Sequence, residues 1–202
     1  MSHSSETIVP VVGVLALQGD YASHAQALEA AGAEARMVRR NPELADIDGL
    51  VIPGGESTTF LKLLAREELF HPLLEFVQSR PTFGTCAGCI LLAKKVVGPE
   101  QESLGVLDAT VERNAYGRQI DSEILTGDTG LSGGPMEMVF IRAPRIAEVG
   151  KGVDVLAKRD GLPVLVRQKN LLAATFHPEL SGDRRIHRYF LQMIQNTRPK
   201  NP

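Results

Sequence analysis

The stretch "VVGVLALQGDYASHAQALEAAGAEARMVR" (Val11–Arg39) decides the fold. Val11–Leu17 is apolar and rich in β-branched side chains, and it stops at Gln18-Gly19-Asp20. Without polar alternation, such a run fits a strand buried on both faces. Tyr21–Ala31 is Ala-rich and helix-friendly, and Gly32 after it can take the left-handed C-cap conformation. Ala33–Arg39 then reads as a second strand. Strand, helix and strand in so short a span is the unit of a parallel sheet covered by helices.

Working outward, "DGLVIPGG" (Asp48–Gly55) is a third strand that breaks at Pro-Gly-Gly. Glu56-Ser57-Thr58 opens a helical stretch from Thr59 to near Arg80, with a break expected at His71-Pro72. Pro81–Thr85 is a fourth strand and Ala87–Lys95 another helix. Beyond Gly98 the segments are shorter and β-like: Val106–Glu112, Glu137–Arg142, Val153–Lys158, Val164–Lys169 and Leu171–Thr175. Gly-rich turns such as "TGDTGLSGGP" (Thr126–Pro135) separate them. Asp183–Asn196 closes the chain as an amphipathic helix carrying Ile186, Tyr189, Phe190, Met193 and Ile194. No repeat or linker interrupts this. The expected fold is α/β, a single-domain open mostly parallel sheet flanked by helices, with a β-richer second half. It occupies residues 11–196, between an N-terminal tail (1–10) and a C-terminal tail (197–202).

With 202 residues the chain can bury one substantial core. Its 22 basic and 24 acidic residues leave a net charge of −2, and there is no basic stripe. Nothing there calls for a nucleic acid or a membrane surface. No apolar run approaches the roughly 18 residues of a span, and Met1-Ser-His-Ser-Ser-Glu lacks the features of a signal peptide. The two cysteines, Cys86 and Cys89, are too close to staple a fold. A cytoplasmic protein with reduced thiols is expected.

In open α/β sheets ligands gather beyond the carboxyl ends of the strands. Three turns fall there: "LQGD" (Leu17–Asp20), "PGGES" (Pro53–Ser57) and "GTCAG" (Gly84–Gly88). The last has the form G-x-C-x-G between a strand and a helix, a nucleophile elbow with Cys in place of Ser. Cys86 would sit at a helix N-terminus, which favours thiolate. The N–H of Ala87 would face a developing oxyanion. The plainer alternative is a buried cysteine whose glycine neighbours serve packing only.

A thiol nucleophile needs an imidazole, and the imidazole needs an orienting carboxylate. His3 belongs to the N-terminal tail, while His24, His71 and His187 fall in or beside helices, where a packed or solvated ring is the simpler reading. His177, in "ATFHPEL" (Ala174–Leu180), lies just past an apolar strand with Glu179 two residues on. In an extended segment those two side chains share a face. "IPGGEST" lacks the lysine of a P-loop, so it suits a second oxyanion donor better than a phosphate cradle. Structural zinc needs four ligands, which these residues do not supply. A dithiol reading of Cys86 and Cys89 would leave His177, Glu179 and the Gly-Gly turn without a role.

Together the Cys elbow, the Gly-Gly turn and the His-Pro-Glu triplet resemble the triad-type (class I) glutamine amidotransferases. The finer resemblance is to the glutaminase subunit of pyridoxal 5′-phosphate synthase. It rests on "GVLALQGDYASH", "IPGGESTT", "GTCAGCILLA", "VERNAYGRQIDSE", "PMEMVFIRAPRI" and "ATFHPEL", six blocks in order from about Val11 to Gln195. The resemblance implies hydrolysis of L-glutamine to glutamate and ammonia. Cys86 would be the nucleophile, His177 the base and Glu179 its support. The oxyanion would lie between the N–H of Ala87 and the backbone at Gly54 and Gly55. Substrate would be held by Gly55, Glu56, Ser57, Arg113, Ile141 and Arg142, with Gln18 nearby touching substrate or partner. The implied partner is the synthase subunit, a (β/α)8 barrel, in a hetero-oligomer. Pyridoxal phosphate would be the product of that complex, and no cofactor or metal is implied for this chain.

Overall fold

The computed structural model describes residues 9–115 and 122–197. Tyr116–Asp121 of "VERNAYGRQIDSE", His3, and most of the two expected tails lie outside the described residues.

The opening stretch folds as read. β1 (Val11–Leu15) and β2 (Glu34–Val38) pair in parallel, joined by α1 (Tyr21–Ala31). Gly32 ends α1 at φ 102°, and the amide N–H that follow close onto the carbonyls of Leu28 and Glu29. β3 (Gly49–Ile52) joins the other side of β1, also in parallel. The long helix expected after it is two helices, α2 (Ser57–Arg66) and α3 (Phe70–Ser79). The break falls at Glu67–Leu69, with Glu68 at φ 53°, and not at His71-Pro72. Pro72 lies in the first turn of α3, where its missing N–H costs nothing.

β4 (Thr82–Thr85) pairs in parallel with β3. The helix after it, α4 (Ala87–Leu92), is shorter than expected, because Ala93, Lys94 and Lys95 pass into β5 (Ala93–Val97). β5 has a different sheet to serve. With β6 (Leu107–Glu112) and β9 (Arg145–Val149) it forms a small three-stranded sheet. β7 (Ser122–Gly127) and β8 (Met136–Ile141) form an antiparallel pair. β10 (Asp154–Arg159), β11 (Leu162–Gln168) and β12 (Leu171–Ala174) meander antiparallel onto the edge of the main sheet. α5 (Arg185–Thr197) follows, its first N–H accepted by the carboxylate of Asp183.

The main sheet runs β10-β11-β12-β4-β3-β1-β2, parallel from β12 to β2. The α/β class, the open sheet and the β-richer second half stand as expected. Side chains alternate between two cores. Leu50 and Ile52 of β3 enter the layer beneath α2, α3, α4 and the small sheet, while Val51 enters the layer beneath α1 and α5. Phe190, Ile186 and Ile194 fill the second layer with no exposure. Truncating such an aromatic side chain costs about 3–5 kcal/mol. Among the described residues no helix is long and apolar enough to cross a membrane.

Candidate active site

The strand order explains the site. β12, β4, β3 and β1 are neighbours and point the same way. Their carboxyl ends therefore bring His177, Cys86, Gly54-Gly55 and Gln18-Gly19-Asp20 side by side.

Cys86 sits between β4 and α4 at φ 47°, ψ −103°, a conformation an L-residue holds only when its surroundings enforce it. Its N–H is tied to the carbonyl of Ala174, one strand over, at 2.9 Å. The flanking glycines are required by contact: a Cβ on Gly84 would meet the Gly88 carbonyl at 2.6 Å, and one on Gly88 would strike the Ile52 carbonyl. The packing reading and the nucleophile reading of these glycines are thus one geometry. Cys86 lines a cleft of about 190 Å³, together with His177, Gly55, Glu56, Ser57, Arg113, Ile141 and Arg142.

His177 extends from β12, its N–H bonded to the Val139 carbonyl at 2.8 Å. Its Nδ1 lies 2.7 Å from Oε1 of Glu179, both side chains being buried. The segment between them is not extended, as the sequence suggested; Pro178–Leu180 is a single 3-10 turn with proline at its first position. The turn brings the carboxylate back under the ring, so the pairing forms by a different backbone route. The chain order is nucleophile, imidazole, carboxylate, unlike the nucleophile–carboxylate–imidazole order of the α/β hydrolases.

Burial alone would lower the affinity of His177 for its proton. Hydrogen bonds to Cys86 and Glu179, with the charges of both, outweigh that and raise the ring to about 10. With Nδ1 facing Glu179, Nε2 is the ring nitrogen left for Cys86. Asp20, His177 and Glu179 each bring one donor atom within 4.8 Å of the others. That set suits a cation poorly, because a protonated imidazole has no lone pair to give. Cys89 lies fully buried in the apolar layer, and desolvation, with Cys86 beside it, pushes its thiol up to about 12. A thiol held protonated there takes no part in exchange chemistry.

The Gly-Gly turn packs against the triad. A Cβ on Gly54 would overlap the His177 ring, and Gly55 adopts φ 143°, open only to glycine. The "LQGD" loop braces it: Gly19, at φ 80°, lies against the Gly54 carbonyl, and Gln18 Nε2 donates to the Glu56 carbonyl at 2.7 Å. Gln18 does not line the cleft; it holds up the turn that does.

Glu56 caps α2. Its carboxylate accepts from the N–H groups of Thr58 and Thr59, from both threonine hydroxyls, and from Arg113 Nη2 at 3.3 Å. Partial burial opposes ionisation, but the hydroxyl and backbone donors of Thr58 and Thr59 prevail and hold the carboxyl at about 2. Ser57 Oγ donates to Gln101 at 2.9 Å. Arg142 turns the chain after β8 at φ 43°. Asp20, Ile90, Asn114 and Pro144 also line the cleft and had not been singled out in the sequence. Asp20 and Asn114 stood inside "LQGD" and "VERN", beside residues that had been. Ile90 offered no signal beyond falling in the helix after the elbow.

A family model described as the SNO glutamine amidotransferase family matches residues 14–196. The chain is 63% identical over 185 residues to pyridoxal 5′-phosphate synthase subunit PdxT of Koribacter versatilis (strain Ellin345), covering 92% of this chain and 96% of that protein. It is 52% identical over 189 residues to the protein of the same name in Solibacter usitatus (strain Ellin6076), covering 91% and 98%. Among solved structures, one titled "Crystal structure of glutamine amidotransferase" superposes with a TM-score of 0.84 at 49% identity, covering 91% of this chain and 98% of that one.

Proposed function

Since the chain belongs to the SNO glutamine amidotransferase family, we propose that Cys86, His177 and Glu179 are the groups with which it carries out that family's chemistry. The reaction is hydrolysis of glutamine to glutamate and ammonia, with the ammonia supplied to vitamin B6 synthesis. The observation that carries the assignment is geometric: a cysteine on a strained elbow opens into the same cleft as a histidine paired with a buried carboxylate at 2.7 Å.

His177 takes the thiol proton of Cys86, and Sγ attacks the side-chain amide carbonyl of glutamine. The carbonyl π electrons move onto oxygen, and the oxyanion is received by the N–H of Ala87 and the backbone of Gly54-Gly55. As the tetrahedral intermediate collapses, the C–N bond breaks and His177 gives its proton to the departing amine. Ammonia leaves a γ-glutamyl thioester on Cys86. His177 then removes a proton from water, whose oxygen attacks the thioester and releases glutamate and the thiol. Glu179 holds the ring in the orientation both steps need and supports its positive charge.

Glutamine is a free amino acid, so its carboxylate and ammonium must both be met. Arg113 offers the cation and Glu56, held ionised, the acceptor beside it. Ser57 and the backbone at Ile141 and Arg142 complete the wall of the cleft. Gln18 acts through Glu56, by fixing the turn. Residues 11–196 make up the one glutaminase domain.

Ammonia released into water would be protonated and lost as a nucleophile, so the product calls for a docked acceptor. That acceptor is the synthase subunit of a pyridoxal 5′-phosphate synthase complex, a (β/α)8 barrel. Ammonia release from glutamine, measured with and without that subunit, tests the reading. It should rise on addition of the subunit and vanish in Cys86→Ala while assembly persists. Retained turnover in Cys86→Ala would sink it.

A further inference from the structure

Next to Glu179 lies a second layer of buried polar groups to which the reaction scheme gives no role. His24, on α1, and His187, on α5, both have no exposure. Nδ1 of His24 is 3.3 Å from Nε2 of His187. On the other side of the His24 ring, Nε2 is 3.0 Å from the Thr85 hydroxyl and 3.2 Å from Oε2 of Glu179. The hydroxyl meets hydrogen-bond geometry, whereas Oε2 of Glu179, buried and close to the same nitrogen, has no hydrogen-bond partner. Oε1 of the same carboxylate is the atom that holds His177.

The tautomers follow from this arrangement. If Nε2 of His24 carries the proton, it faces a hydroxyl oxygen and a carboxylate oxygen, and Nδ1 accepts from His187. That leaves the lone pair of His187 Nδ1 without a partner, and this atom is indeed buried and unpartnered. The reverse assignment sets a lone pair against the carboxylate and buries an unpaired N–H. Both features of that reverse assignment are costly in a dry interior. Desolvation, then the charges of His187 and His177, depress His24 well below its ordinary 6.5, and desolvation with Arg184 takes His187 to about 4. Both rings are therefore neutral when the enzyme works.

We propose that His24 is a positioning residue for the glutaminase reaction: its ring, oriented by His187 and Thr85, presents an N–H to Oε2 of Glu179 and keeps that carboxylate aimed at His177. The functional row is then Cys86, His177, Glu179, His24, with His187 as the outer anchor. A buried carboxylate with nothing beside its second oxygen is free to rotate, and rotation withdraws support from the imidazolium. The close approach of His24 restrains that rotation without touching substrate.

The inference rests on the triad assignment, and the experiment separates the two. Gln and Met are nearly isosteric, and only Gln retains an N–H where Nε2 stood. In the assembled complex, kcat and KM for glutamine are measured for the unaltered chain, Cys86→Ala, His24→Met and His24→Gln, with melting curves for each. His24→Met should lower kcat about 10- to 100-fold, the range seen when a supporting partner of a functional histidine is removed. KM should stay nearly unchanged, and His24→Gln should recover most of the rate. A folded His24→Met with full kcat, or a folded His24→Gln as inactive as Cys86→Ala, overturns the proposal. Should His24→Met fail to fold, His24→Leu takes its place against the same Gln variant. Activity surviving in Cys86→Ala would instead bring down the triad reading itself.

Discussion

Gly54→Ala places one methyl group where the account is most sensitive. The φ of Gly54 lies outside the left-handed region, so alanine meets no backbone penalty there. The new Cβ would overlap Cε1 of His177, stand 3.1 Å from Nδ1 and touch Cys86 Cβ at 3.4 Å. Restoring ordinary contact requires the ring to withdraw by about 1 Å, and a misplacement of that size costs about 10²-fold in rate. That corresponds to about 2.7 kcal/mol of lost transition-state stabilisation. The assay is glutamine hydrolysis in the presence of the synthase subunit, with circular dichroism and melting as fold controls. A fall in kcat of about 100-fold with KM nearly constant is expected. Activity within about threefold of the unaltered chain, or a raised KM at unchanged kcat, would refute the idea that this glycine exists to admit the imidazole.

Two further outcomes follow from the same geometry. Cys89→Ala should leave glutamine turnover within a few-fold, because Cys89 packs in the apolar layer and its thiol stays protonated; collapse of turnover in a folded variant would revive a dithiol role. Melting temperature should peak near neutral pH. His177 is raised to about 10, so its stabilisation is complete below 6.5 and drains away as pH climbs to 10. His187, at about 4, and His24, held well below 6.5, cost nothing above 6.5 but destabilise increasingly as pH falls below it. A melting temperature that rises steadily from neutral pH toward 10 would contradict these signs.

The parallel half of the fold was legible because its signals are local. Gly32 marks the end of α1, and the unbroken apolar runs of β1 and β3 announce strands with two covered faces. The second half was harder. β5 is "AKKVV", a segment whose lysines continue a helical pattern, and only pairing with β6 makes it a strand. β7 and β9 carry mixed burial and no clear alternation, so they too depend on partners distant in sequence. At the site, Cys86, His177 and the Gly-Gly turn stood out because their neighbours are chemically unusual. The structure adds that Gln18 donates to the Glu56 carbonyl and that Ser57, which lines the cleft, donates its hydroxyl proton to Gln101. His24 and His187 are packed rings, one of the two states their helical position suggested, but no local pattern reveals that they meet each other and that His24 approaches Glu179.

The claim at the centre is that Cys86 carries the γ-glutamyl group. Acid quenching of the complex during turnover, followed by peptide mass spectrometry, reads this directly. The account predicts a γ-glutamyl adduct on the peptide containing Cys86, located on that residue, absent in Cys86→Ala and never on Cys89. Turnover accompanied by an adduct on Cys89, or sustained in Cys86→Ala, would contradict it.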